Sequence, residues 1–337
     1  MSQLRQNPAT KEWVIIATDR SKRPGDFCDT VCPPPTNDVE HCPFCPGNEK
    51  KTPPEVFSYR TYETKADSPG WWVRVIPNKF AALEPKGKIE RSKIDHFFLH
   101  MDGLGRHEVL IESPEHDKCL ATMSEKQVED IFLAYRERSI ALSKDKNSEL
   151  VIIFENHGKN AGTSLEHPHS QIIATPVTPM RVRHLVEEAM RYFDDHGTCV
   201  YCAMAEKELA LKERIVLESD NFLVFQPFAS RSPFETWILP KKHESNFDNI
   251  SPELAKELAF IVRKTLLKIY KGLNNPDYNL MVFSSPCHER DVEYYHWRIQ
   301  ILPRISSMAG FELGTGIYIN TVIPEEAAKF LRDVEVE

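Results

Sequence analysis

The sequence predicts an α+β protein built from two related halves, each an antiparallel sheet packed with helices. Three observations predict it: an internal repeat, an amphipathic helix ahead of each copy of the repeat, and a C-x-x-C pair further upstream in each half. We expect the halves to span residues 1–177 and 178–337, with a linking helix over Val182–Tyr192. A chain of 337 residues is long enough to bury two such cores.

The repeat pairs an apolar strand with a histidine at a fixed distance. In the first half VIIF occupies 151–154, and twelve residues separate it from His167. In the second half LMVF occupies 280–283, and twelve residues again separate it from His296. Short apolar runs of this kind are typical of buried strands. Two copies at one spacing indicate that the chain is duplicated.

Each repeated histidine begins a second strand-like stretch. HPHSQI at 167–172 aligns without a gap with HWRIQI at 296–301. Alternate residues of a strand share a face, so His167, His169 and Gln171 are expected to point the same way. A row of polar side chains on one face predicts a functional site on this strand.

The helix ahead of each copy carries start signals. The first is expected to begin at Ser124, with Gln127 three residues later as a capping box. The second is expected to begin at Ser251-Pro252, an N-cap followed by proline at the first helical position, and to end near Gly272. The core-facing side of the first helix is predicted to carry Val128, Ile131, Phe132 and Tyr135.

Two cysteines and two histidines recur in the same order in both halves. A C-x-x-C pair comes first, and a histidine eight residues after a glutamate, Glu108 or Glu235, stands between that pair and the repeat. The two sets are Cys42, Cys45, His116 and His167, and Cys199, Cys202, His243 and His296. Two thiolates with two imidazoles are the usual tetrahedral ligands of structural zinc, so we predict two zinc ions per chain.

The cysteine pairs are also compatible with redox chemistry or with a zinc-ribbon binding protein. A redox dithiol is expected at a helix start in a thioredoxin-like context, whereas CPFCPGNE at 42–49 has the composition of a turn. A zinc-ribbon protein would carry two such pairs, but it would usually be smaller and more basic. Any one histidine alone could be an ordinary surface or core residue, and two sets in matching order argue against that.

Composition narrows the function classes. The net charge of −8 disfavours nucleic-acid binding driven by bulk charge. No apolar run approaches the ~18 residues that a membrane span needs, and MSQLRQNPATKEW at 1–13 lacks the apolar segment of a secretory signal. We therefore expect a cytoplasmic protein without nucleic-acid or membrane partners.

His169 is free for chemistry, because the predicted metal set does not need it. An imidazole is a good nucleophile towards phosphorus and a good leaving group afterwards. The amide of Gln171 could donate to a phosphate oxygen as charge develops there. Arg298 takes the place of His169 in the second half, and a permanently protonated guanidinium cannot attack. We expect catalysis in the first half; the alternative is that His169 is a spare ligand or merely exposed.

The segments around these residues resemble the galactose-1-phosphate uridylyltransferase family of the histidine-triad superfamily. FENHGKNAGTSLEHPHSQ at 154–171 resembles its active-site strand. The likeness continues, in family order and over nearly the whole chain, through RQNPATKEWVIIATDRSKRPGDF, CPFCPGNE, WVRVIPNKFAAL, EVLIESPEH, GFELGTGIYIN and PEEAAKFLRD. The resemblance implies two tandem histidine-triad-like halves and a double displacement. A nucleoside monophosphate passes from a nucleotide sugar to a histidine, releasing a sugar-1-phosphate, and then to a second phosphorylated acceptor.

Carried over motif by motif, the family's roles fall on particular residues. His169 resembles the nucleophile, and Gln171 resembles the amide that holds the non-bridging phosphate oxygens. The other substrate-binding residues implied by the resemblance are Arg20 and Arg23 for phosphate, Asn78 for the nucleoside, Asn156, Thr163 and Ser164 for the phosphate loop, and Gly310, Phe311 and Glu312 for the sugar. Two of these segments also have ordinary roles open to them: RSKRP at 20–24 could be a solvated basic run, and Asn156 could be a turn residue.

Two departures from the family pattern bear on the substrate. Lys79 stands where uridylyltransferases resembling this chain carry an aspartate, and GFELGTG at 310–316 is similar to the ADP-glucose phosphorylase-like branch. UDP-glucose with galactose-1-phosphate is the expected substrate pair, and ADP-glucose phosphorolysis or another adenylyl transfer is the alternative. Family members pair as dimers, so the resemblance also implies a homodimer.

Overall fold

One antiparallel sheet of ten strands organises the chain. The computed structural model of the protein describes residues 1–18 and 38–336. Within these residues the strands are β1 (Gln3–Gln6), β2 (Trp13–Ile16), β3 (Phe57–Arg60), β4 (Trp71–Pro77), β5 (Ser92–Ile94), β6 (Phe98–His100), β7 (Arg106–Ile111), β8 (Leu150–His157), β9 (His169–Thr175), β10 (Ile215–Glu218), β11 (Phe222–Phe225), β12 (Thr236–Pro240), β13 (Tyr278–Phe283), β14 (Arg298–Pro303) and β15 (Tyr318–Asn320). The α-helices are α1 (Glu125–Ser143), α2 (Met180–His196), α3 (Val200–Leu211), α4 (Pro252–Gly272), α5 (Gly310–Thr315) and α6 (Pro324–Asp333).

The two halves meet in the middle of this sheet. β8 pairs with β13, with Glu155 opposite Leu280 and Ile153 opposite Val282. Beyond β8 lie β9, β7, β4 and β3, and beyond β13 lie β14, β12, β11 and β10, so each half supplies five strands in a matching order. The α+β prediction is confirmed, while the two expected sheets form a single one. The chain division at residues 177 and 178 stays a prediction.

The strand pairing shifts the alignment of the first repeated strand. On β9 Ile172 lies opposite Ile153, whereas its counterpart Ile301 on β14 lies opposite Leu280. Residue 153 therefore matches residue 280, and the gapless match of 151 with 280 was wrong by two residues. A two-residue shift keeps every side chain on its face, so the polar pattern of the strands is unaffected.

A second shift concerns the two glutamates that precede His116 and His243 in the sequence. Val109 lies opposite Gln171, and Trp237 lies opposite Gln300. The equivalent of Glu235 is thus the residue two before Val109, which is a histidine, and the match of Glu235 with its first-half glutamate was wrong by one residue. A one-residue shift turns a side chain to the other face of the sheet, so the two glutamates point to opposite sides.

Helices α1 and α4 begin where the sequence predicts. Ser124 accepts the N–H of Gln127, and Ser251 caps α4 in the same way. Only half of the predicted capping box forms on α1, because the Gln127 side chain donates to the main-chain carbonyls of Trp72 and Glu112. The helix start is thereby tied to two strands of the sheet.

Both long helices cover one face of the sheet and pack against each other. The four apolar residues predicted to face the core from α1 are fully buried, as are Leu258, Val262 and Leu266 of α4. The opposite face is covered by smaller apolar clusters around the two cysteine pairs. We call these faces the helix side and the cysteine side of the sheet.

Peripheral elements complete the described chain. β1, β2 and β15 form a small sheet that joins the two ends of the sequence, with β15 parallel to β2. The linking helix α2 covers the predicted range and extends beyond both of its ends. Among the described residues, no helix combines the length and apolar character that crossing a membrane requires.

Candidate functional site

The first cysteine-histidine set converges on one point of the cysteine side. Cys42 and Cys45 lie in a turn, His116 follows β7 and His167 precedes β9, and their ligand atoms all lie within 4.8 Å of one another. Cys45 Sγ is 3.3 Å from His116 Nδ1 and 3.4 Å from His167 Nδ1. Tetrahedral bonds of about 2.0–2.3 Å place ligand atoms about 3.3–3.8 Å apart, so this set can hold a metal ion.

A hydrogen bond orients His167 within this set. Its Nε2 lies 2.8 Å from the carbonyl oxygen of Ser113, which can only accept, so Nε2 carries the hydrogen and Nδ1 presents its lone pair to the thiols. Complete burial lowers the pKa of His167 to about 4 and keeps the ring neutral. A carbonyl behind a ligand imidazole is the usual support of a metal site.

The second set forms the same arrangement in the other half. Cys199 and Cys202 lie at the start of α3, and with His243 and His296 their ligand atoms again lie within 4.8 Å of one another. Cys202 Sγ is 3.3 Å from His243 Nδ1 and 3.5 Å from His296 Nδ1. His243 Nε2 donates to the Val292 carbonyl at 3.1 Å. Both halves therefore contain a group that can hold a metal ion.

His169 is the first residue of β9 and is held in one tautomer. Its Nδ1 lies 2.8 Å from the carbonyl oxygen of His167, so Nδ1–H donates and the lone pair of Nε2 is left free. The edge of its ring meets Phe44, at 5.3 Å between centroids. Burial lowers the pKa of His169, so the neutral ring is favoured. A neutral imidazole with one free nitrogen is a competent nucleophile.

A cavity of about 510 Å³ opens beside His169. We call it the His169 cavity. Asn156, Thr163 and Ser164, the predicted phosphate-loop residues, line it together with the metal-set residue His167. The second half contributes Tyr270, Asn275, Asp277 and Arg304 to its wall. Cationic, amide and hydroxyl groups around one imidazole suit an anionic substrate with a phosphorus centre.

The second half holds the loop at 158–164 in place. Asp277 Oδ2 accepts the main-chain N–H of Asn160 at 2.6 Å, and Asn279 Nδ2 donates to Asn156 Oδ1 and to the Ala161 carbonyl, both at 2.8 Å. Gly158 has a φ of +84°, and a Cβ there would lie 1.9 Å from Asp277 Oδ1. Only glycine allows this approach. The shape of the loop therefore depends on β13 and the residues just before it.

Gln171 connects the strand of His169 with a second cavity. Its Oε1 lies 2.8 Å from Nε2 of His107, on the same face of the neighbouring strand β7. His107 and Asn78 line a cavity of about 580 Å³, which we call the Asn78 cavity. Asn78 Oδ1 accepts the N–H of Phe80 at 2.8 Å, so the Asn78 side chain also shapes its own turn.

Two buried carboxyl groups lie beneath β9 on the helix side. Glu112 accepts a hydrogen bond from Tyr135 of α1 at 3.3 Å, and Glu155 accepts one from Tyr278 of β13 at 3.0 Å. Burial raises the pKa of Glu112 to about 7 and that of Glu155 well above its usual range. Ser170 points from β9 to the same side and is fully buried. The strand that carries His169 thus rests on a polar layer.

The matching place in the second half is closed. Arg298 is 1% exposed, and its guanidinium carbon lies 4.5 Å from the ring centre of Phe283, 4.7 Å from Trp237 and 4.8 Å from Tyr201. Such contacts between a cation and aromatic faces are favourable in a desolvated position. The three rings thus enclose the residue that takes the place of His169, and a permanent cation is held there instead of a free imidazole.

Some predicted substrate residues lie elsewhere. Glu312 lines a separate cavity and caps its own short helix α5, by accepting the Ala309 N–H at 3.0 Å. Phe311 and Gly310 are exposed at the start of α5 and do not line the His169 cavity. Arg20 and Arg23 lie outside the described residues.

Several residues around the site were not predicted from the sequence. His107 and Asp277 contact predicted site residues or their loop directly, and Glu112 and Glu155 lie below them. For His107 a signal existed, because it shares a strand face with Val109 and precedes a buried apolar run. For Asp277 none existed, because its partner Asn160 is far away in the sequence and belongs to the other half.

Comparisons with known proteins agree with this geometry. The family model described as galactose-1-phosphate uridyl transferase, N-terminal domain, matches residues 1–179, and one described as a domain of unknown function matches 121–334. The chain is 36% identical to the ADP-glucose phosphorylase of Arabidopsis thaliana, over 99% of this chain and 93% of that protein. It is 32% identical to the galactose-1-phosphate uridylyltransferase of Thermotoga maritima, over the full length of both.

A solved structure shows the same likeness in three dimensions. The crystal structure of the Arabidopsis thaliana ADP-glucose phosphorylase with bound ADP-glucose superimposes with a TM-score of 0.83, at 34% identity and with both chains fully covered. These relatives cover 99% or more of this chain. The chain therefore belongs to the galactose-1-phosphate uridylyltransferase family, and it is a nucleotidyltransferase.

Proposed function

We propose that the protein transfers a nucleoside monophosphate from a nucleotide sugar to a phosphorylated acceptor through a nucleotidyl-His169 intermediate. The lone pair of His169 Nε2 attacks the α-phosphorus and forms a P–N bond. The P–O bond to the sugar phosphate breaks, and the sugar-1-phosphate leaves with that electron pair. An oxygen of the second phosphate then attacks the same phosphorus and releases the imidazole. The observation that carries this proposal is the Nδ1–H bond to the His167 carbonyl, which leaves Nε2 free.

Neighbouring groups have distinct roles in this proposal. Gln171 donates its amide hydrogens to a non-bridging oxygen as negative charge develops, and Asn156, Thr163 and Ser164 position the phosphates. Asn156, Thr163 and Ser164 line the His169 cavity, and Gln171 shares the face of β9 with His169, which supports these assignments. Arg20 and Arg23 are assigned to phosphate binding on the family resemblance. Preorganised donors of this type each contribute roughly 10²–10³ in rate to acyl-transfer enzymes, and we expect a similar order here.

We propose that each cysteine-histidine set binds one zinc ion with a structural role. Cys42, Cys45, His116 and His167 would hold the first ion, and Cys199, Cys202, His243 and His296 the second. Bound there, each ion would fix the strand that follows its last histidine. Atomic emission on the purified protein should give two zinc ions per chain, and one ion per chain would refute the second site.

The donor is proposed to be UDP-glucose, with galactose-1-phosphate as the acceptor. Relatives named as galactose-1-phosphate uridylyltransferases, from Thermotoga maritima and Haemophilus influenzae among others, support this pair. ADP-glucose with inorganic phosphate is the second candidate. The identity of 36% with an ADP-glucose phosphorylase, together with Lys79 in the place of an aspartate, favours it.

A half-reaction tests the mechanism and the donor together. UDP-glucose and ADP-glucose, each labelled on the α-phosphate, are offered separately without acceptor, and glucose-1-phosphate release and protein label are measured. We expect acid-labile, base-stable label on the wild-type protein and none on His169→Ala. A site that hydrogen-bonds one base can reject another by roughly 10⁴-fold, so one donor should win clearly. Normal turnover by His169→Ala would refute the mechanism, and release from ADP-glucose alone would refute uridylyl transfer.

A homodimer belongs to the same proposal. Gly310 and Phe311 are exposed, and with Glu312 they lie outside the His169 cavity of their own chain, as expected of a sugar contact supplied to a second copy. The family resemblance supports the same assembly. Sedimentation velocity should give about twice the mass of one chain, and a monomer with full activity would refute this part of the proposal.

A further inference from the structure

We propose that His107 is a positioning residue that decides which end of the Gln171 amide faces the substrate. This inference rests on the nucleotidyl transfer proposed above, because Gln171 is useful there only as a donor. Oxygen and nitrogen of a glutamine amide have nearly the same shape, so the side chain could fit its place in either orientation. The choice between them determines whether a donor or an acceptor meets the phosphoryl oxygens.

The tautomer of His107 follows from a main-chain bond. The N–H of Ala82 donates to His107 Nδ1 at 3.1 Å, and a main-chain nitrogen can only donate. Nδ1 must therefore carry the lone pair, and a neutral ring then carries its hydrogen on Nε2. The donor in this argument is a main-chain N–H, whose direction is fixed by the backbone.

The Nε2–H of His107 in turn orients Gln171. It lies 2.8 Å from Gln171 Oε1, so it donates to that oxygen. The amide nitrogen of Gln171 then faces away from His107, and it has no acceptor among the described residues. On this strand face His169 is the next residue but one, so the unused N–H groups lie beside the nucleophile.

Asn78 faces the same nitrogen of His107 as a donor. Its Nδ2 lies 3.0 Å from His107 Nε2, and its Oδ1 accepts the N–H of Phe80 at 2.8 Å. The Asn78 amide therefore meets the Nε2 hydrogen with hydrogens of its own, which is an unfavourable contact in this tautomer. Asn78 is half-buried, so its amide hydrogens can turn to water, whereas the main-chain N–H of Ala82 cannot turn away from Nδ1. Gln171 Oε1 is thus the acceptor of the Nε2 hydrogen.

The second half supplies an internal comparison. Glu235 occupies the place of His107, and Gln300 occupies the place of Gln171. A carboxylate can only accept, and Gln300 Nε2 donates to Glu235 Oε1. The amide of Gln300 is thus turned the opposite way from that of Gln171. In each half, the residue on the neighbouring strand, His107 or Glu235, decides the orientation of the glutamine amide.

Replacing His107 with glutamate should turn the Gln171 amide as in the second half. We expect His107→Glu to slow the single-turnover nucleotidylation of His169 by roughly 10²-fold, the cost of one lost oxyanion donor. The donor concentration for half-maximal rate should change far less. His107→Gln, which can still donate to Oε1, should retain much more of the rate. His100→Glu, in the exposed strand β6, is the matched control and should be unaffected.

A double-mutant cycle separates this role from a mere charge effect. In a Gln171→Ala background, His107→Glu should change the rate by no more than about twofold, since the amide it reorients is gone. An undiminished loss in that background would overturn the proposal, because repulsion between glutamate and phosphate would then explain it. Equal losses for His107→Glu and His107→Gln would also overturn the proposal, because they would show that any substitution of His107 impairs the site.

The tautomer itself can be read without any substrate. Nitrogen-15 shifts of ring-labelled histidine distinguish a protonated from an unprotonated nitrogen, and loss of the signal in His107→Gln assigns it. We expect protonation at Nε2 of His107, and protonation at Nδ1 would overturn the inference. A wild-type protein that takes no label from either nucleotide sugar would refute the proposed function instead, and leave this spectroscopic result to decide on His107.

Discussion

Strands β9 and β14 occupy equivalent places in the sheet, yet only β9 offers a reactive group to a cavity. His169 of β9 has one nitrogen bound to a carbonyl and the other free. Arg298 of β14 is a fixed cation enclosed by three aromatic rings. The cysteine-histidine sets before the two strands are alike. The two strands therefore begin from the same kind of cysteine-histidine set. The residue two positions after the last histidine of each set, His169 or Arg298, decides whether a free nitrogen is available for reaction.

The layers beneath the two strands differ in the same sense. In the first half the helix side holds Glu112, Glu155 and Ser170. The strand pairing sets Val282 and Ile299 in the places of Glu155 and Ser170, so the second half is apolar there. Burying polar groups costs free energy unless they are hydrogen-bonded, so this layer stabilises the first half less than an apolar layer would. The polar layer is therefore a feature of the half that carries His169.

The largest expected effect separates the two cysteine-histidine sets. Cys42→Ser should lower turnover by about 10²-fold or more and also lower thermal stability, because His167 of the same group holds the carbonyl that orients His169. Cys199→Ser should cost comparable stability but leave most activity in the folded fraction. Turnover and thermal unfolding, measured together with zinc content, check this. Equal losses of activity in the two variants would contradict the assignment of catalysis to the first half.

The next effect concerns the polar layer and pH. The pKa of Glu112 is raised from 4.5 to about 7 by burial, so the folded protein keeps this proton between those values while the unfolded chain releases it. The stability that the group contributes is therefore present at acid pH and lost as pH rises towards 7. In Glu112→Gln, the free energy of unfolding should therefore fall less as pH rises, and the difference from the wild type should reach roughly 3 kcal/mol at most. Denaturant unfolding at pH 5 and pH 8 measures it.

The exposed neighbour Glu115 provides the control for this test. Glu115→Gln changes the charge by the same amount at a residue whose side chain is 64% exposed. We expect its unfolding free energy to follow pH as that of the wild type does. If Glu112→Gln behaves in the same way as Glu115→Gln, the raised pKa is wrong. The groups that face Glu112 are Tyr135 of α1, Ser170 of β9 and Glu155 of β8.

A smaller effect is expected across the junction of the halves. Asp277→Ala removes the acceptor of the Asn160 N–H, and a hydrogen bond to a charged group contributes about 1.5–3 kcal/mol. Turnover should fall by about tenfold or more as the loop loses its position, while Asp277→Asn keeps an acceptor oxygen and should lose less. Asp220→Ala, in an exposed turn of the same half, is the control. Full activity in Asp277→Ala would show that the loop does not depend on β13.

The smallest effect tests whether the second half is a closed site. Arg298→His places an imidazole where β9 has its nucleophile, but the surrounding rings leave no room for a nucleotide. We therefore expect at most one nucleotidyl group per chain in this variant, and none when it is combined with His169→Ala. Label quantified by mass spectrometry of the intact protein checks both. A second nucleotidyl group would show that the second half is latent and not closed.

The sequence predicted the parts of this molecule that depend on local patterns. Helix starts at Ser124 and Ser251 follow from capping residues, and the two cysteine-histidine sets follow from their repeated order. The pairing of strands across the sheet was harder to predict from the sequence. One residue more or less between β7 and His116 changes which residue faces the cavity, and no local pattern reveals that count.

Contacts between the two halves could not be predicted from the sequence, for a different reason. The bond from Asn160 to Asp277 joins residues 117 positions apart, and neither residue type is unusual for a turn. The pairing of β8 with β13 is equally invisible, because each strand alone is an ordinary apolar run. Such contacts depend on the arrangement of whole elements, which a repeat implies only in outline.

The pairing of β8 with β13 also bears on how this family can be shortened. A chain cut after residue 177 would leave β8 as a free edge, with a row of main-chain N–H and C=O groups open to pairing with other molecules. Its apolar side chains from Leu150 to Phe154 would make that edge prone to aggregation. The half that carries Arg298 thus covers the edge of the half that carries His169, and a shortened fragment of the first half would need a designed cover for that strand.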